Sequence, residues 1–159
     1  MIKSLVTGVL ALFFLSESAL ANTIVNLNTS KSKVLFRTLK AVGAPQKGPH
    51  IDLSGIYCVV RYERQSGDPG QKAEVLAISN CSFDSDNNFG PLTSAQSDKL
   101  IGALAVAGVR LGKATKTEGG ISERSLFVQS ISCSKYVEAG QDKYHRQVAV
   151  DVHICSVEI

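Results

Sequence analysis

The chain has no tryptophan, one methionine and four prolines in 159 residues, and only 6% of its side chains are aromatic. Basic residues interleaved with aromatics, the pattern of a nucleic-acid groove, are missing, so nucleic acid is excluded as the expected partner. No two cysteines are close enough in sequence to make the C-x2-4-C pairs of a zinc site, and no metal or cofactor is expected. The stretch Asp84-Ser85-Asp86-Asn87-Asn88-Phe89-Gly90 opens like a calcium loop, but Phe89 and Ala95 stand where glycine and a closing glutamate are needed. There is no G-x-S-x-G, no H-E-x-x-H and no phosphate-cradling glycine loop.

Long apolar runs are missing too, except at the start. Lys3, the apolar segment from Leu5 to Leu15 and Ala19-Leu20-Ala21 have the order of a signal peptide removed after residue 21. The run is too short to cross a bilayer, which takes about 20 residues, and no cysteine follows it to carry a lipid. The expectation is an exported protein, periplasmic or extracellular, with residues 22–159 as a single mature domain and no transmembrane segment after cleavage. Four cysteines in an oxidising compartment then read as two disulfides.

Charge is unevenly placed. Residues 22–51 carry Lys31, Lys33, Arg37, Lys40 and Lys47 and no acid. This basic segment suits either an anionic surface or a solvated face that keeps a strand edge from aggregating.

Five segments have strand character: 33–42 (KVLFRTLKAV), 56–63, 73–79, 124–132 and 147–157. In the last, Val148, Val150, Val152 and Ile154 alternate with Gln147, Ala149, Asp151, His153 and Cys155, which predicts that the valine face is buried. One helix stands out at 93–107. Thr93 and Gln96 match a capping box, Leu100, Ile101 and Leu104 form an apolar stripe, and Gly108 is placed to end it. The predicted class is α+β: an antiparallel sheet of about five strands in the order β-β-β-α-β-β, with one helix packed on it and disulfide bracing.

Four cysteines allow three connectivities. A turn centred on Asp68-Pro69-Gly70-Gln71 puts Cys58 directly across from Cys81, at a separation a disulfide can span. That leaves Cys133 for Cys155, where a loop drawn through 137–146 misses register and calls for a bulge or an asymmetric loop. The cysteines of the two halves are similarly spaced, yet the residues around them do not match, and the echo reads as coincidence.

Asp151, His153 and Cys155 are the one place where an acid, an imidazole and a thiol line up on a strand. Side chains at i and i+2 project in parallel, however, and export favours oxidation of the thiol. The function expected is therefore non-enzymatic: an envelope or extracellular module acting by binding a protein or envelope partner, with inhibition of a secreted or host enzyme as one form. The loops 64–72 and 113–124 are its expected contact surfaces. A second reading is a secreted hydrolase whose site is assembled from distant residues, His153 and Asp151 first. A third is a structural envelope component.

Overall fold

A computed structural model describes residues 22–65, 74–84, 86, 89–116 and 121–159. The expected leader at 1–21 lies outside the described residues, as do most of the loop 64–72, residues 117–120 and part of the candidate calcium loop.

The class is the one expected, an antiparallel, disulfide-braced α+β fold. In chain order the elements are β1 (Ile24–Asn26), α1 (Thr29–Ala41), β2 (His50–Gln65), β3 (Glu74–Ser82), α2 (Ser94–Ala107), β4 (Thr115–Lys116), β5 (Ser122–Gln141) and β6 (Gln147–Glu158). The sheet runs β1-β6-β5-β2-β3, with β4 paired to β5 off this path. Both helices lie on one face.

One segment differs from expectation. Residues 33–41 belong to helix α1, which Val42 ends as C-cap and which starts at the Asn28 side chain, accepting from the Lys31 amide. Ser32, Leu35, Phe36 and Leu39 fall at i, i+3, i+4 and i+7 and are all buried, so a helical period was present beneath the apparent strand composition. Helix α2 is as predicted, with both capping-box bonds formed and Gly108 left-handed at φ 102°. Leu35, Leu39, Leu100 and Leu104 bury fully against Ile51, Ile56, Val128, Ile131 and Val157 of the sheet. Each such side chain contributes about 1.5–3 kcal/mol through burial.

The disulfides are Cys58–Cys81 and Cys133–Cys155, each with its Cα atoms 4.1 Å apart. The first pair is directly opposed, as the turn centre predicts. The second needs no bulge. Strand β5 continues to Gln141, which pairs with Gln147, and the loop shrinks to 142–146. Asp142 closes it, with Oδ1 accepting from the Tyr144 and Arg146 amides and Oδ2 from Arg146 Nε.

The spacing echo is not coincidence. In the first half, Leu92 donates its amide to the Cys81 carbonyl, and the Cys81 amide donates to Ser97 Oγ of α2. In the second, Leu27 donates to the Cys155 carbonyl, and the Cys155 amide donates to Ser32 Oγ of α1. Leu27, Asn28, Ser32, Leu35 and Leu39 thus correspond to Leu92, Thr93, Ser97, Leu100 and Leu104. The central strands correspond too: IDLSGIYC (51–58) and LFVQSISC (126–133) bury Ile51, Leu53, Ile56 and Cys58 against Leu126, Val128, Ile131 and Cys133. The domain is two helix–strand–strand units about a pseudo-twofold axis between β2 and β5.

Near that axis the pleat changes phase. Leu53 and Ile56 both face the helices although they differ in parity, as do Val128 and Ile131, and the ladder skips Gly55. Gly55 has φ +55°, a conformation that favours glycine. Because strand side chains alternate faces, the phase change is what puts both disulfides on the same, helix-covered side.

Candidate functional site

Strand β6 buries the face opposite to the one expected. Cys155 and Val157 are fully buried and His153 is 4% exposed, whereas Val148, Val150 and Ile154 are 36%, 41% and 50% exposed. Helix α1 covers the odd-numbered residues near the end of the strand. The valines lie on the uncovered face of the β5–β6 hairpin.

His153 packs edge-on against Phe36, with ring centroids 5.1 Å apart. Its Nδ1 is, among the described residues, the one buried side-chain polar atom without a hydrogen-bond partner. Burial pushes its pKa below the ordinary imidazole value, and Lys135, Lys33 and Arg37 push the same way while Asp151 opposes them. Asp151 is held below its ordinary value chiefly by its hydrogen bond to Lys135, whose Nζ lies 2.9 Å from Oδ2. Neither His153 nor Asp151 lines the two concavities described below. Cys155, the third member of that row, is bonded to Cys133.

The sign of the His153 effect on stability follows. A buried histidine with a depressed pKa binds fewer protons folded than unfolded between its folded value and 6.5, so stability is full above about pH 6.5 and falls as pH drops through that window. His153→Leu should remove this component. Urea midpoints measured from pH 7 to 5 should fall less steeply in the variant than in wild type, and parallel curves would refute the assignment.

The face of the sheet away from the helices carries a different constellation. Tyr57 pairs across the ladder with Phe127 and Ser82, Val59 with Asn80 and Ser125, and Arg61 with Ile78 and Glu123. Tyr57, Val59, Arg61, Ile78, Asn80, Ser82 and Glu123 line a shallow concavity of about 400 Å³. Tyr57 and Phe127 are 48% and 55% exposed, so their rings stand up from the sheet. Arg61 Nε and the Glu123 carboxylate form an ion pair at the rim. An exposed pair of this kind contributes little stability, about 0–1 kcal/mol, but it leaves the concavity without net charge.

The pseudo-twofold axis supplies an internal control. The positions equivalent to Tyr57 and Phe127 are Ser132 and Asp52, which also pair across the ladder, and there Ser132 Oγ donates to Asp52 Oδ1 at 2.6 Å. The interiors of the two units match, whereas these outward positions do not. Packing requirements therefore do not explain the aromatic pair.

Sequence reasoning placed contacts in loops and missed this surface, because the outward phase of Tyr57 depends on the pleat change at Gly55. Among the described residues of the expected contact stretch 113–124, Glu123 alone lines the concavity. Among the described residues there is no cluster of three or more His, Cys, Asp and Glu suited to a metal, no free cysteine, and no helix long and apolar enough to cross a membrane. No protein-family model matches the chain, and no curated protein or solved structure matches it at a significant level. The geometry defines a disulfide-braced α+β domain with one sheet face open.

Proposed function

We propose that the protein is an exported, non-enzymatic binding module whose open sheet face seats a protein partner through a surface that is uncharged at the contact. The observation that carries this reading is the half-exposed Tyr57–Phe127 pair standing where the equivalent unit has Asp52 and Ser132. Tyrosine, phenylalanine and arginine are enriched at interface centres, where a few such anchors dominate affinity. Because Arg61 and Glu123 neutralise each other, the complementary surface needs no balancing charge. Four hydrogen-bonded strands side by side span roughly 20 Å, wide enough for a standard interface of about 800 Å² per partner. The two disulfides suit an oxidising compartment.

A photo-cross-linking residue at position 127, with a control at the exposed position 47, tests this in the producing cell. The reading expects one discrete protein adduct from 127 and none from 47. The Tyr57→Ala and Ile78→Glu substitutions should each weaken binding of that purified partner at least tenfold, about 1.4 kcal/mol. Adducts from both positions alike, or affinity unchanged by both substitutions, would remove the sheet face as the binding surface.

A further inference from the structure

On the other side of the molecule, α1 and α2 leave a shallow groove of about 410 Å³ between them. Val34, Ala41, Gly102 and Val106 form its apolar lining, and Arg37 and Lys99 stand on its rim. Helix α1 carries Lys31, Lys33, Arg37 and Lys40 and no acid, while α2 adds Lys99 and a single acid, Asp98. Among the described residues none of these five cations is in an ion pair, and nearby Asp151 is already held by Lys135.

Gly102 is the unexplained residue. It sits mid-helix, where glycine lowers helix stability relative to alanine. Its φ is not positive, and a Cβ built on it meets nothing within 4 Å. The fold itself gives no reason for a glycine there. A backbone that must come close from outside gives one.

We propose that this groove is a second docking surface and that its occupant is an amphipathic α-helix of a partner protein, with acidic residues flanking an aliphatic stripe. The unpaired cations supply charge complementarity to acidic flanks, Val34 and Val106 take the stripe, and Gly102 lets the incoming helix approach closely. An anionic lipid surface fits less well. The outward face of the two helices offers two exposed valines and no aromatic, Phe36 being buried, whereas interfacial helices insert tryptophan, phenylalanine or leucine.

The test displays a library of about 20-residue helix-forming peptides, with flanks randomised over Glu, Gln and Lys and the stripe over Ala, Leu and Ile, on the full disulfide-bonded protein. Glu-flanked clones should be enriched. Their Kd should rise at least tenfold with Arg37→Glu/Lys99→Glu and with Gly102→Leu, which fills the groove. Gly102→Ala should raise the melting temperature by about 3 °C, and a lower one would mean that the glycine serves the fold. The proposal is overturned by enrichment of Lys- or Gln-flanked clones, by no enrichment, or by binding indifferent to Gly102→Leu. Sedimentation with phosphatidylglycerol vesicles that Arg37→Glu/Lys99→Glu abolishes would assign the cations to lipid and overturn it equally.

Discussion

Replacing Cys133 and Cys155 together by alanine should lower the unfolding free energy by roughly 3 kcal/mol, the loop-entropy value for cysteines 22 residues apart. Both half-cystines are buried against the core, so the small void left behind adds to the loss. The Cys58–Cys81 bridge closes a loop of nearly equal length, 23 residues, and occupies the equivalent place in the other unit. The two double variants should therefore lose similar amounts, within about 1 kcal/mol. Urea unfolding of each oxidised variant at pH 7 gives the comparison, and a loss below 1 kcal/mol for either would refute the expectation. Native-state hydrogen exchange adds a local readout: the Cys81 amide, bonded to Ser97 Oγ at 2.9 Å, should stay protected when the distant 133–155 bridge is removed.

Gly55→Ala should be the most damaging single-atom addition. Two effects combine there. A residue with a Cβ is strained at φ +55° by about 1–2 kcal/mol. In addition, the new carbon would lie 2.0 Å from Asp84 Cγ and Oδ2, so the carboxylate must move. Together these predict a loss of about 2–4 kcal/mol. The two parts separate in a double-mutant cycle. In Gly55→Ala/Asp84→Ala the steric part is gone and the backbone part remains, so the combined loss should be smaller than the sum of the singles by about 1 kcal/mol or more. Strict additivity would show that Asp84 yields freely and that strain alone acts.

Much of this fold could be read from local signals. Helix α2 announced itself because Thr93, Gln96 and Gly108 each have a distinct terminal chemistry. The Cys58–Cys81 pairing followed from the turn centre, since hairpin register is arithmetic once the turn is placed. Helix α1 was obscured because Val34, Leu35 and Phe36 are adjacent and mimic a strand, while its cap, Asn28, lies outside the apolar run. The inverted reading of β6 has a different origin. Alternating valines mark one face of a strand but do not say which face another element covers, and here the cover is α1, which the sequence disguises as a strand.

The two surfaces proposed for binding were the least legible. The outward phase of Tyr57 and Phe127 follows from an irregularity centred on one glycine, and the α1–α2 groove requires two helices distant in sequence to be neighbours. One signal in the sequence does bear on it. Set beside each other, IDLSGIYC and LFVQSISC agree at Ile51 and Leu126, Leu53 and Val128, Ile56 and Ile131, and in the final cysteine, which reveals the two-unit plan and with it α1 as the counterpart of α2.

That plan bears on the order in which the pieces are joined. Thr23 and Ile159 exchange two backbone hydrogen bonds, at 3.1 and 3.0 Å, so the two ends of the described residues meet beside the start of α1. In the other unit the equivalent step is made within the chain, where residues 83–93 join β3 to α2. The seam between the ends is thus the cut counterpart of an uncut loop. A chain sealed at the first and opened at the second would thread the same two units in rotated order, with every helix still resting on its cysteine-bearing edge strand.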